Sequence, residues 1–271
     1  MKKRIKVLQV IPRLGFGGAE AGCYDLAHFL SERDCKSYII TSGGKLTKFI
    51  RKDKVKLFKL PVHSKNPIII SGGGVLYSEA EKELSDFSKK HNIPVTPTVM
   101  GIGCMDHNDP YNIGPIGCLG VGSANSLSKD TDLALAIGTK LGDFTTGSWA
   151  NFENKDFKLV SINTTRFDVT KHRATPVISD AKVGFEELSK ALGDWKAPSI
   201  WFDRAIKERT EWDSYVDKES GPTNQELPSY AHAVGAVYRN ADPSDIVVTA
   251  AGGLVGEVVQ IWKPKQKNTF E

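Results

Sequence analysis

The stretch Pro67-Ile68-Ile69-Ile70-Ser71-Gly72-Gly73-Gly74 decides the fold of most of this chain. Three consecutive isoleucines, bounded by a proline and a glycine run, are typical of a short buried strand. The stretch therefore predicts a strand over Ile68–Ser71, followed by a tight turn at Gly72–Gly74.

Downstream of this strand, helical and strand patterns alternate. Ala80, Leu84 and Phe87 recur at helical spacing. The run that starts at Asp132 lacks polar alternation, as in strands that are covered on both faces. The alternation predicts an α/β fold, a Rossmann-like doubly wound parallel sheet with helices on both faces. The predicted elements are helices Ser78–Lys90 and Val183–Leu192 and strands Pro94–Val99, Asp132–Gly138, Phe157–Asn163 and Pro176–Ser179.

Upstream of Pro67, the sequence contains a separate and incomplete α/β pattern. A buried strand, Ile5–Ile11, is followed by a turn that contains three glycines. The order β-turn-α-β-β is the opening of another doubly wound domain. The remaining predicted elements are helix Ala19–Arg33 and strands Ser37–Thr41 and Val55–Leu60.

Beyond Asp194 the sequence changes character, because tryptophans and prolines stand among charged residues. We interpret this part as a connecting helix and linker. A further unit then begins with helix Tyr230–Arg239, strand Ile246–Thr249 and a glycine loop. One strand cannot complete the sheet of such a unit. The predicted domains are an incomplete N-terminal piece (1–66), a central domain (67–195), a linker (196–227) and the start of a third domain (228–271).

Composition narrows the class of protein. Of 271 residues, 40% are hydrophobic and 25% charged, and the net charge of +4 comes from a basic N-terminal region. That region includes Lys2, Lys3, Arg4, Lys6 and the run Lys45–Lys59. It suits nucleic acid or acidic lipid, but no aromatic residues alternate with it, which favours a solvated face and no nucleic acid. No pair of the four cysteines has the spacing of a metal site, which predicts reduced thiols and a cytoplasmic protein. The apolar runs are too short to span a membrane.

Two glycine turns each follow a strand, where they serve either phosphate binding or simple packing. Gly72–Gly74 lacks the spaced glycines of a dinucleotide fingerprint, which favours packing. Around the first turn, Pro12-Arg13-Leu14 and Gly17-Gly18-Ala19-Glu20 resemble the start of a retaining glycosyltransferase of the two-Rossmann type. This resemblance covers about residues 4–70 and implies that Gly17 and Gly18 lie near a sugar-nucleotide cleft.

A longer set of spaced motifs lies between residues 98 and 172. The motifs are Thr98–Gly103, Asp106–Pro110, Gly114–Gly117, Ser123–Asn125, Asp132–Leu141, Asp143–Trp149, Val160–Asn163, Phe167-Asp168 and Lys171-His172. The set resembles the central domain of thiamine-diphosphate-dependent enzymes, and its later motifs resemble the inositol-catabolic trihydroxycyclohexane-1,2-dione hydrolases. The resemblance runs from about residue 66 to the end of the chain.

This resemblance implies a cofactor, a substrate class and an assembly. The cofactor is thiamine diphosphate with Mg²⁺, the substrate is a small cyclic dione cleaved at a C–C bond, and the family forms homo-oligomers. It also argues against a flavin. In the stretch Thr249–Glu257, Gly252, Gly253 and Leu254 would lie near the cofactor diphosphate; the alternative is a plain strand-to-helix turn.

The resemblance also implies that functional segments are missing. Neither the glutamate that activates the cofactor nor the Gly-Asp-Gly magnesium segment occurs in the chain. We therefore assign no catalytic and no metal-binding residue and expect a truncated or chimeric form without activity. The alternatives are a glycosyltransferase fragment and a non-catalytic oligomerisation unit.

Four single residues in these motifs have a structural interpretation. His107 and His172 are more often surface or hydrogen-bonded histidines than catalysts. Asp143 either orients a substrate hydroxyl or caps a turn, and capping is favoured. Trp149 is interpreted as a packing residue.

Overall fold

The computed structural model describes residues 5–59, 64–266 and 269–270. The chain divides into two compact units, Met1–Ser64 and Lys65–Glu271. Leu60, the predicted end of the third strand, lies outside the described residues, as do Lys2, Lys3 and Arg4 of the basic region.

The first unit is a three-stranded parallel sheet with one helix. The strands pair in the order β1-β2-β3, and a short 3-10 helix, Lys45–Phe49, precedes β3. Its core contains Ala27 of the helix and Ile39 of the central strand, so the helix covers one face of the sheet. The elements are β1 (Lys6–Val10), α1 (Gly18–Glu32), β2 (Lys36–Thr41) and β3 (Val55–Lys59).

The second unit contains a five-stranded sheet in the order β5-β4-β6-β7-β8, in which every pair is parallel. All five residues of β4 are buried. Because β4 pairs on both sides, Ile69 lies beside both Val95 and Leu135. The doubly wound α/β prediction is confirmed. The strands are β4 (Pro67–Ser71), β5 (Val95–Pro97), β6 (Leu133–Ile137), β7 (Lys158–Asn163) and β8 (Thr175–Ile178).

Helices cover both faces of this sheet, because successive side chains of a strand point to opposite faces. Ile69 belongs to a core with Leu84 and Phe185, on α3 and α7. Ile68 and Ile70 belong to a second core formed with α4 and α8. The helices are α2 (Gly73–Tyr77), α3 (Glu81–His91), α4 (Gly122–Asp130), α5 (Asp143–Thr146), α6 (Arg166–Thr170), α7 (Ala181–Leu192), α8 (Ser199–Glu219), α9 (Tyr230–Asn240) and α10 (Val255–Ile261).

Two predicted elements are wrong. Gly73 and Gly74 begin helix α2, so only Gly72 remains of the predicted turn Gly72–Gly74. The predicted strand Ile246–Thr249 does not form, and only Val247 makes an isolated bridge, to Phe270. An apolar run becomes a strand only beside a partner strand, and both neighbours of Val247 are exposed.

Helix α8 lies in the predicted linker and belongs to the core. Trp201 is 3% exposed and packs in the second core. Its indole Nε1–H donates to the Pro67 carbonyl oxygen at 2.8 Å, which ties α8 to the first residue of β4. The predicted limits of the central domain and the linker stay predictions.

A buried arginine provides a second tie between α8 and the unit. Arg209 is 9% exposed. Its Nη1–H donates to the Asn112 carbonyl at 2.9 Å, its Nε–H to the Asp213 carboxylate at 2.8 Å, and its Nη2–H to the His107 ring. Burial, with the nearby positive charges of Arg209 and Lys263, lowers the pKa of His107 to about 3. The imidazole is therefore neutral when it accepts from Arg209.

In the part of the chain that the structure describes, no helix combines the length and the apolar character needed to cross a bilayer.

The indole hydrogen bond of Trp201 is expected to contribute measurably to stability. Trp201→Phe leaves the Pro67 carbonyl without this donor and should lower the free energy of unfolding by about 2 kcal/mol in urea denaturation. Trp149→Phe, in a partly buried aromatic cluster, is the control and should cost less. Equal losses in the two variants would contradict a special role for the Trp201 bond.

The neutral His107 should make stability depend on pH. Its folded pKa lies below the ordinary value of about 6.5, so its contribution is complete above pH 6.5 and declines as pH falls toward 3. The expected slope is roughly 1 kcal/mol per pH unit. His107→Gln keeps an acceptor for Arg209 and should flatten the curve below pH 6.5.

Unfolding by urea between pH 4 and 8 measures this dependence. His172→Asn is the control, because His172 is exposed and its left-handed backbone (φ 59°) suits asparagine. A slope that is the same in His107→Gln and in the unmodified chain would show that other groups cause the acid sensitivity.

Candidate functional site

The crevice at the carboxyl ends of β4 and β6 is where an open sheet of this strand order commonly binds ligands. Here two loops close it. Gly72 N–H donates to the Ile137 carbonyl at 2.8 Å, and Gly74 N–H to the Gly138 carbonyl at 3.0 Å. A Cβ on Gly72 would lie 2.3 Å from the Gly138 oxygen. These glycines therefore permit close packing of backbone on backbone, which supports packing over phosphate binding.

The N-terminal glycine turn is covered by the chain's own carboxylate. Gly17 is the N-cap of α1, and a Cβ there would lie 1.9 Å from Glu20 Oε2. A negative side chain at a helix N-terminus makes the interaction that a phosphate would otherwise make. Gly18 has open space at its Cβ position. The arrangement favours a strand-to-helix turn over a phosphate site.

The predicted cofactor loop, Gly252, Gly253 and Leu254, connects α9 to α10 and is exposed. Gly252 has φ +149° and open space at its Cβ position, and Gly253 has only the Tyr230 ring nearby, at 3.9 Å. The backbone of both glycines is therefore accessible from outside the loop. Glu257 adds a negative charge to the first turn of α10.

A metal site is not assembled in the described ranges. Among residues 5–59, 64–266 and 269–270, no group of three or more His, Cys, Asp or Glu side chains could hold a metal ion.

Three of the single residues adopt simple roles. Asp143 is the first residue of α5, and its carbonyl accepts from Ser148 N–H. The helix N-cap is Gly142, so the favoured side-chain cap is not seen at this helix. The Trp149 ring packs 4.6 Å from the His172 ring and 5.6 Å from Phe152, as a packing residue would.

A cavity of about 530 Å³ lies in the second unit. It lies beside the carboxyl end of β5, between the loop that follows this strand, α8 and α10. Its floor is formed by buried apolar side chains, including Met105, Val121 and Val259. Its walls carry His107, Arg209, Asp213, Trp212, Trp262 and Gln260.

The sequence analysis identified His107 but missed the other wall residues. Arg209 and Asp213 are spaced i, i+4 on α8, a pattern that also occurs on solvated helix faces. The signal that distinguishes them is Trp212, a large aromatic residue between the two charges.

The cavity has the chemistry of a binding site rather than of a nucleophilic centre. Cys104 is fully buried, and burial raises its pKa to about 12. Its Sγ lies 3.0 Å from Ser71 Oγ. A thiol that stays protonated is a poor nucleophile. The His107 ring already accepts from Arg209, so that nitrogen is not available as a general base.

Comparison with known proteins identifies relatives of this chain. Residues 56–188 match the family model described as the thiamine pyrophosphate enzyme, central domain. A protein of Clostridium tetani named 3D-(3,5/4)-trihydroxycyclohexane-1,2-dione hydrolase is 34% identical over 242 residues, which cover 80% of this chain and 37% of the relative.

Two further relatives carry the same name. The protein of Geobacillus thermodenitrificans is 31% identical, over 81% of this chain and 37% of the relative. The protein of Bacillus anthracis is 30% identical, over 83% of this chain and 38% of the relative. The chain thus spans well under half the length of these relatives. Its residues 56–188 match the central domain of the thiamine pyrophosphate enzymes.

Proposed function

We propose that this chain supplies the central domain of a thiamine-diphosphate-dependent hydrolase that cleaves a C–C bond of a cyclic 1,2-dione in inositol catabolism. The observation that carries the proposal is the shared name of relatives that are 30–34% identical over about four fifths of the chain. The parallel sheet of the second unit agrees with the Rossmann-like fold of this family.

The cofactor part of the proposal concerns the loop Gly252–Leu254. When bound, thiamine diphosphate supplies the carbanion chemistry of such reactions, and the protein supplies binding and orientation. We propose that the open backbone of Gly252 and Gly253 would contact the diphosphate, and that Mg²⁺ would accompany the cofactor, since this ion prefers oxygen ligands.

We propose further that the 271 residues alone do not hydrolyse the dione. The chain's contribution is limited to an edge of the diphosphate site and to the folded central domain. Its buried thiol and its neutral, hydrogen-bonded His107 offer no activated group for the reaction.

A second candidate function, an oligomerisation unit, is favoured by an apolar edge. Parallel strands end at one edge of a sheet, and the segments that follow β4 to β7 each carry a large exposed hydrophobic residue. These residues are Tyr77 (91% exposed), Met100 (74%), Phe144 (72%) and Phe167 (70%). An apolar edge can pair with its own copy around a two-fold axis. We propose that it forms a homodimer contact.

The proposed compartment is the cytoplasm. All four cysteines, Cys23, Cys35, Cys104 and Cys118, are free thiols. Free thiols are typical of proteins in reducing compartments.

Titration of the ¹⁵N-labelled chain with thiamine diphosphate and Mg²⁺ tests the cofactor proposal. The amide signals of Gly252, Gly253 and Leu254 should shift, with half-saturation at about 1 mM or weaker, and the cyclic dione should not be hydrolysed. Gly252→Ala should weaken the response, because its φ of +149° disfavours a side chain.

Gly193→Ala is the matched control, since Gly193 also has positive φ and open space. Sub-micromolar binding, or any dione hydrolysis, would contradict the proposal that the chain alone is inactive. Unchanged loop signals would remove Gly252–Leu254 from the cofactor site.

Self-association through the apolar edge can be measured by light scattering after size-exclusion chromatography. At about 100 μM the chain should elute with a mass near twice 29.7 kDa, and the variant Phe144→Ser/Phe167→Ser with the monomer mass. Ile200→Ser removes an equally exposed residue from α8 and should leave the dimer intact. A monomeric chain, or a dimeric double variant, would rule out this contact.

A further inference from the structure

Several charged groups in the walls of the 530 Å³ cavity are paired with an opposite charge. Arg209 pairs with Asp213 at 2.8 Å, and Lys263 reaches the same carboxylate at 3.1 Å. Asp109, also in the wall, accepts from Lys89 at 2.7 Å. Pairing reduces the charge that Arg209, Asp213 and Asp109 offer to a ligand. A strongly charged ligand would have to break these ion pairs.

The polar groups that remain in the wall can form hydrogen bonds with hydroxyl groups. Gln260 donates from Nε2 to the Gly120 carbonyl at 3.2 Å, which leaves its amide oxygen as an acceptor. Asp106 Oδ1 accepts from Asn108 N–H at 2.9 Å, which leaves its other carboxylate oxygen at the rim. The His107 imidazole is uncharged, because burial lowers its pKa. Hydroxyl groups, which donate and accept, match such partners.

Two indole rings line the same cavity and pack against neighbouring residues. Trp212 lies against Gly122, where a Cβ would come within 2.6 Å of its ring. Trp262 lies against Tyr238, with ring centroids 5.3 Å apart. Rings fixed in this way offer apolar contact to the C–H surface of a ligand at little cost in side-chain entropy.

We propose that this cavity binds a neutral polyhydroxylated ring, a cyclitol or a monosaccharide. Such a ligand combines C–H faces for the indoles and the apolar floor with hydroxyls for Gln260, Asp106 and the neutral imidazole. The volume of about 530 Å³ lies within the range of about 300–1,000 Å³ typical of small-molecule sites. The proposal does not depend on the proposed reaction, whose cofactor would meet Gly252–Leu254.

The test follows indole N–H signals of the ¹⁵N-labelled chain during titration with myo-inositol and, separately, with glucose. The five tryptophans are assigned by single Trp→Phe variants. The signals of Trp212 and Trp262 should move, with half-saturation on the order of 1 mM for a ligand of about twelve heavy atoms. Those of Trp149 and Trp201, which do not line the cavity, should stay in place.

Asp106→Asn keeps the oxygen that accepts from Asn108 and should weaken polyol binding roughly 3- to 10-fold. Asp156→Asn, an exposed carboxylate outside the cavity wall, is the control and should have no effect. Gln260→Met removes the amide oxygen and should therefore also weaken polyol binding. Unchanged signals of Trp149 and Trp201 would show that this variant is folded.

Three outcomes would overturn the proposal. The first is no movement of the Trp212 and Trp262 signals with either polyol up to about 50 mM, well above the expected half-saturation. The second is an equal movement of all five signals, which indicates a solvent effect. The third is a response to inorganic phosphate or to MgCl₂ at lower concentration than to polyol, which would show a charged-ligand site.

Discussion

The pairing of β4 on both of its edges is the constraint on which the second unit depends. β4 hydrogen-bonds to β5 on one side and β6 on the other, and all of its residues are buried. A strand in this position has to be apolar on both faces, because each face meets a layer of helices. Ile69 faces one layer, whereas Ile68 and Ile70 face the other, so one short run supplies both cores.

This central strand also determines where ligand space is available. At its carboxyl end, Gly72 and Gly74 contact Gly138 so closely that the crevice beside β4 is filled by backbone. The open space lies instead next to β5, where α8 forms a wall. Trp201 fixes α8 to the start of β4, and Arg209 fixes it to the loop after β5. The cavity thus exists because α8 is held at two points.

The two candidate binding regions share helix α10. The loop Gly252–Leu254 precedes this helix, and Val259 and Gln260 of the same helix line the cavity. The loop is exposed and has open backbone, whereas the cavity has an apolar floor and internally paired charges. We propose a diphosphate as the ligand of the loop and a neutral polyol as the ligand of the cavity. The first proposal comes from the resemblance to thiamine-diphosphate-dependent enzymes, whereas the geometry of the side chains points to the second.

The sequence by itself determined the parallel α/β fold, because β-branched runs such as Ile68–Ile70 and helical spacings such as Ala80, Leu84 and Phe87 are local patterns. Resemblance of spaced motifs also indicated the thiamine-dependent family, which the family model confirmed. Local patterns failed where a partner was decisive. The run Ile246–Thr249 has strand composition but lacks a neighbouring strand. Helix α4 was not predicted, because its sequence is largely polar.

Only the tertiary structure decided the cavity and the roles of the glycines. Arg209 meets Asn112 and His107 across 97 and 102 residues of sequence, and no local pattern encodes such a contact. At Gly72 the missing dinucleotide fingerprint favours packing over phosphate binding, but the close contact with Gly138 that requires a glycine is visible only in the fold. The physical reason is the same in both cases. Burial, neutralisation of a histidine and closure of a crevice depend on what other segments bring near a residue, and only folding brings them there.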